Sequence, residues 1–135
     1  MIHLTPEQRV FVLERHVATL TTLRPDGTPH VVPIAFTWDA ERGEAWLTTE
    51  DGSVKVRNVE EALAAGRSAR GALCQVSGGR WLTLEGSLEV SRDPGDVATA
   101  EQRHAVRYPP LEPNPRRVLL RLAVDRVLGS AYMTR

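Results

Sequence analysis

The chain has 135 residues and a mass of 14.9 kDa, of which 41% are apolar and 25% charged. One domain covering residues 1–135 is expected at this length, with a core that buries about 68% of the unfolded surface, and the composition excludes collagen, disorder and a disulfide scaffold. The 17 basic and 17 acidic residues balance, so no overall field draws the chain to nucleic acid or anionic lipid, and neither is expected as a partner.

No apolar run approaches the roughly 20 residues of a membrane-spanning helix. The start, MIHLTPEQRV, lacks the basic segment and apolar block of a secretory signal, so a cytoplasmic location is expected. Cys74 is the only cysteine, which rules out an intrachain disulfide, and its strand-like setting between Ala72 and Val76 reads as a buried, inert thiol.

Thr5-Pro6-Glu7-Gln8 has the order of a capping box and predicts a first helix to about Arg15. Two β-rich segments, His16 to Leu23 and His30 to Trp38, flank Pro25-Asp26-Gly27 and predict a hairpin. Within the second, Val32, Ile34, Phe36 and Trp38 share a face, while Pro33 suggests an edge or a bulge. A third strand is expected from Glu44 to Thr49. Ser53 is placed to cap a second helix carrying the Val56, Val59 and Leu63 stripe, with Gly66 to stop it. Strands follow at Arg70 to Ser77 and Arg80 to Val90, joined at Gly78-Gly79. Asp93-Pro94 opens a third helix to about Arg107, and after a loop rich in proline a last strand runs from Arg116 to Asp125. The sum is a mainly β (α+β) domain with about three short helices, whose six mostly antiparallel strands cover their core most simply as a small closed barrel.

Neither the four histidines nor Cys74 show metal-ligand spacing, and no nucleophile motif, P-loop or dinucleotide fingerprint is present. Neither a catalytic side chain nor a metal is assigned. The informative segment is Gly52-Ser53-Val54-Lys55-Val56-Arg57-Asn58. It puts two cations in the first turn of a helix, where the dipole disfavours them and an anion is wanted. Free amides, the Ser53 hydroxyl, Lys55 and Arg57 suit a phosphate, whereas the plain alternative pairs Arg57 with Glu61 and leaves Lys55 solvated. His30 is either a solvated strand-end residue or a ligand contact at a barrel rim. Trp81, with Thr83 and Glu85 on its face, marks a subunit interface or ligand wall, or ordinary packing. Arg116-Arg117 is either a small carboxylate site or a solvated pair.

The run Leu20 to Pro33, then Lys55-Val56-Arg57-Asn58, then Trp81-Leu82-Thr83-Leu84-Glu85-Gly86, resembles the flavin and deazaflavin reductases of the split β-barrel, pyridoxamine-phosphate-oxidase-like superfamily. Leu73 to Gly86 and Pro113 to Ser130 are closest to the biliverdin reductases within it that use coenzyme F420, although Ala65 to Arg70 is longer than that pattern. The resemblance implies a six-stranded split β-barrel and a homodimer with cofactor sites at the subunit interface. It places the cofactor phosphate on Lys55 and Arg57, with Ser53 and Asn58 beside them, and the ring's pyrimidine edge on the backbone of Val31, Val32 and Pro33. The implied activity is hydride transfer from reduced F420 to a conjugated small molecule, a tetrapyrrole such as biliverdin or a quinone-like acceptor, the proton arriving from solvent. Arg80, Arg116 and Arg117 are the candidates for the substrate's propionates. Rival readings are an FMN-dependent oxidoreductase on the same barrel and a non-catalytic flavin or haem carrier.

Overall fold

The structure is a computed structural model that describes residues 2–133, apart from the Tyr132 side chain. The capping box forms as its residues dictate: the Gln8 amide donates to the Thr5 hydroxyl and the Thr5 amide to the Gln8 side chain. It opens α1 (Pro6–Leu13), which stops two residues earlier than the sequence suggests. The hairpin of β1 (Val17–Leu23) and β2 (Pro29–Ile34) turns at Gly27, whose φ of 87° only glycine adopts without strain, and Asp26 Oδ1 accepts from the Thr28 amide and hydroxyl.

The remaining elements are β3 (Thr37–Asp39), β4 (Glu44–Glu50), α2 (Val54–Ala64), β5 (Arg70–Ser77), β6 (Arg80–Ser91), α3 (Pro94–Arg107), β7 (Arg117–Gly129) and a 3-10 turn at Ala131–Met133. One antiparallel sheet holds seven strands in the order β2-β1-β5-β6-β7-β4-β3. Two expectations are thereby corrected: the strands number seven rather than six, and the sheet is not closed. The segment read as one strand, His30 to Trp38, breaks at Ala35-Phe36, and its halves lie on opposite edges of the sheet. Two residues link those edges, so the sheet curls until its edges approach, without pairing. The Tyr108 hydroxyl supplies the reason, because it bonds both the amide and the carbonyl of Phe36 and so satisfies groups that a continuous ladder would have used.

The core sits inside the curl. Ala18 and Leu20 of β1, Leu73 of β5, Leu82, Leu84 and Leu88 of β6, and Val118, Leu120 and Leu122 of β7 are buried in two-residue alternation. β7 runs four residues beyond the expected Asp125, and the long β6–β7 ladder carries an irregularity at Glu85/Gly86. A Cβ on Gly86 would lie 1.9 Å from the Ala123 carbonyl oxygen, which explains the glycine. α2 covers the core with Val56 and Val59. It ends in a Schellman turn, with Arg67 donating to the Ala62 carbonyl and Gly66 to Leu63, so the long Ala65 to Arg70 stretch begins as a helix stop.

α3 is held differently. Only Ala100 is buried on it, against Trp46 and Leu119. Most of its attachment is ionic: Asp96 meets Arg121, Arg103 meets the buried Asp39 at 2.9 Å, and Glu101 meets Arg117. The Arg103 and Arg121 guanidinium groups also stand over the Trp46 ring, at 4.2 and 5.0 Å from its centroid. No helix among the described residues is long and apolar enough to cross a membrane.

Candidate functional site

The site is built around the first turn of α2. Ser53 is the N-cap residue by position, yet its hydroxyl makes no capping bond; its partner among the described residues is the Thr49 hydroxyl at 3.4 Å. The expected side-chain cap is thus absent. The first helical bond runs from the Arg57 amide to the Ser53 carbonyl, which leaves the amides of Val54, Lys55 and Val56 without an acceptor among the described residues. No acidic residue lies in that turn.

Lys55 is half-buried, and burial lowers its ammonium below the usual lysine range, with no opposing charge to restore it. Arg57 is exposed, and no pairing with Glu61 forms. The nearby acids are engaged elsewhere: Arg92 binds Asp51 and Glu60, each at 2.8 Å. Two cations therefore lie in a helix turn whose first amides have no acceptor, with no acidic residue in the turn to answer them.

Asn58, three residues after Lys55 and on the same helix face, is buried and donates to the Thr22 hydroxyl at 2.9 Å. Thr22 pairs with His30, so α2, β1 and β2 are locked at this point. His30 is half-buried rather than a solvated strand end, and its Nδ1 is a buried atom without a hydrogen-bond partner. The next residues are Val31, Val32 and Pro33. Val31 and Pro33 face outward and are exposed, whereas Val32 turns inward and is half-buried. As an edge strand bonded only to β1, β2 leaves alternate backbone polar groups free for a ligand.

The three candidate substrate arginines are not brought together. Arg116 joins the α2 turn: its Nη2 donates to the Asp51 carbonyl at 2.8 Å, and the Asp51 amide donates to the Arg116 carbonyl. Arg117 points to α3, bound by Glu101 and the Glu112 carbonyl. Arg80 lies at the far end of the sheet, beside Glu14 at 3.3 Å and over the Phe11 ring. Sequence reasoning missed the Arg92 clamp and the place of Arg116, because both depend on contacts between distant segments.

The outer face of β1, β5 and β6 exposes apolar side chains at one end. Val17, Val76 and Trp81 lie in one cross-strand row, each exposed, and Thr19, Cys74 and Thr83 form the next. Cys74 is therefore only partly buried, in place of the fully buried thiol expected.

The comparisons agree with this architecture. The chain is 46% identical over 128 residues to the F420H2-dependent biliverdin reductase of Mycobacterium tuberculosis, covering 95% of this chain and 89% of that protein. A conserved hypothetical protein of the same organism superposes with a TM-score of 0.78 at 23% identity, over 96% of this chain and 86% of the other. An F420 reductase superposes with a TM-score of 0.68 at 22% identity, over 89% and 94% of the two chains, and both superpositions speak to the fold. Residues 4–131 match the pyridoxamine 5'-phosphate oxidase family across almost the whole chain, and with that match and the 46% relative the protein belongs to that family.

Proposed function

We propose that the protein is an F420H2-dependent reductase that acts on a linear tetrapyrrole, biliverdin being the substrate of its 46% identical relative. The observation that carries this reading is the first turn of α2, where Lys55 and Arg57 have no acidic partner and the first amides have no acceptor, on a helix that Asn58 ties to Thr22, the β1 residue paired with His30. These residues fit a phosphate-bearing cofactor: an anion there answers both cations and the helix dipole, the idle Ser53 hydroxyl is free to donate, and the orphaned His30 Nδ1 marks an incomplete polar site close by.

Lys55 and Arg57 hold the phosphate, Ser53 adds a hydroxyl donor, and Asn58 fixes the helix that presents them. The backbone of Val31, Val32 and Pro33 meets the ring edge. When bound, the reduced deazaflavin supplies a hydride to the central methine carbon of the acceptor, with the balancing proton drawn from solvent. The protein's part is to bind, to orient the two planar partners and to exclude water between them. Of the three arginines, Arg116 is the one placed to meet a propionate beside the cofactor, since it is exposed and touches the same turn.

The working unit in this reading is a homodimer. The outer face with the Val17, Val76 and Trp81 row provides the surface, and a second copy encloses a cofactor that one chain leaves open. Titration of the purified protein with F420 and with FMN tests the cofactor assignment. Saturable binding of F420, much tighter than that of FMN, is expected, and preference for FMN moves the protein to the flavin branch.

A further inference from the structure

A second concave feature lies away from the α2 turn, between the C-terminal ends of α1 and α3. It is an open groove of about 520 Å³ floored by Trp38 of β3. Its volume falls within the roughly 300–1,000 Å³ typical of small-molecule sites. It shares no lining residue with the Ser53 to Asn58 turn or the Val31 to Pro33 edge.

Two properties set this groove apart. Its walls are apolar and exposed: Val106 is 90% and Leu13 64% accessible, although each sits in a helix beside the core and Val106 is the most exposed large apolar side chain of the described residues. Its charged lining is cationic, comprising Arg15, Arg103 and Arg107 with no acidic residue, and Thr37 is its one neutral polar member. Arg103 is neutralised by Asp39. Arg15 has no carboxylate within 4 Å among the described residues.

Arg107 is the unusual member. It is half-buried, and its guanidinium donates only to neutral acceptors, the carbonyls of Val12 and Glu14 and the Gln75 side chain, while its buried Nε has no partner. The negative end of α1 offsets part of its charge, and stacking over Phe36 at 4.6 Å a further part. Burial still pushes this guanidinium below the usual arginine value, as expected for a cation lacking an ionic partner. Arg107 spends its Nη2 donors on the protein, so the cation open to a ligand is the exposed Arg15, and a free cation at the rim of an uncovered apolar wall matches one chemical class, an acid group attached to a hydrocarbon or aromatic body.

We propose that the groove between α1 and α3 binds an amphipathic organic anion, a carboxylate whose headgroup meets Arg15 within the positive field of Arg107 and whose apolar body lies on Trp38, Leu13 and Val106. This site is separate from the cofactor turn and does not rest on the reductase reading. An occupant would touch the frame of the split sheet, because Arg107 stacks on Phe36 and the adjacent Tyr108 bonds both backbone groups of Phe36, three residues beyond Pro33.

The test is calorimetric titration of the intact protein with sodium decanoate, with and without saturating F420, and with decylammonium as the cationic counterpart. Decanoate should bind once per chain with an affinity that F420 leaves unchanged, and decylammonium should not bind. Arg15→Glu and Val106→Glu, both at exposed positions, should weaken decanoate about tenfold or more by placing like charge at the headgroup and on the wall. Val10→Glu, exposed on α1 but outside the groove, should leave binding intact. Absence of saturable decanoate binding, equal binding of decylammonium, displacement by F420, or indifference to both groove substitutions would each overturn the proposal.

Discussion

The Asn58 amide donates to the Thr22 hydroxyl across 2.9 Å in the interior, joining residues 36 apart in the chain and fixing the helix that carries Lys55 to the strand that pairs with His30. A buried bond of this kind is lost at a cost of about 1–3 kcal/mol when one partner is removed, because the other is left unsatisfied. Asn58→Ala should lower the unfolding free energy obtained from urea titration by that amount and also weaken cofactor binding. Thr22→Val with Asn58→Leu, which removes both polar groups, should recover stability more than affinity, and equal recovery of the two would show that Asn58 does not aim the helix.

Lys55→Ala and Arg57→Ala should each weaken F420 binding by roughly 1.5–3 kcal/mol, about ten- to a hundredfold, with little effect on unfolding. Equilibrium dissociation constants check this directly, and unchanged values in both variants would remove the phosphate assignment.

The same lysine gives a pH signature. Burial lowers the Lys55 ammonium in the free protein, and a bound anion would favour its charged form. Cofactor affinity should therefore fall as pH rises, starting below the ordinary lysine value of about 10.4. Lys55→Arg should move that fall out of the accessible range, and an identical profile in the variant would assign the titration to another group.

The ionic attachment of α3 predicts sensitivity to acid. For Asp39, burial pulls the carboxyl upward, but Arg103 and the Arg42 amide outweigh it and hold the pKa below the usual aspartate value. The Ser91 hydroxyl and Arg121 do the same for Asp96. Depressed carboxylates contribute stability that is present above the unfolded value of about 3.9 and is lost as pH falls through the folded value. Asp39→Asn should cost about 1–3 kcal/mol at neutral pH and flatten the decline of the urea midpoint below pH 4. The wild-type slope persisting in the variant would place the acid sensitivity elsewhere.

Much of the frame is legible in the residues. Thr5 and Gln8 announce the first helix, Gly27 and Gly78 the two tight hairpins, and Ser53 the start of the helix that carries Lys55 and Arg57 in its first turn, since each signal is local. The break at Ala35-Phe36 is not legible, because Val32, Ile34, Phe36 and Trp38 continue the alternation through it and the partner that ends the strand, Tyr108, lies 72 residues away. Arg116 and Arg117 look like one basic pair in sequence. As neighbours at the start of a strand they point to different sides, one to the α2 turn and the other to α3. The apolar groove at Leu13 and Val106 is hidden for the same reason, being made where two helix ends meet.

The proposed homodimer predicts that Trp81→Glu sediments as a monomer, because the outer sheet row it shares with Val17 and Val76 would then carry a charge at the proposed seam. A dimer of unchanged affinity in this variant would place the interface on another face.

The central claim is tested most directly by mixing the protein with reduced F420 and biliverdin without oxygen and following both absorbances. The account predicts that biliverdin is consumed and a bilirubin-like band appears as F420 is oxidised in equal amount, and that Lys55→Ala slows the reaction at limiting F420. Biliverdin left untouched by wild-type protein saturated with reduced F420 would contradict it.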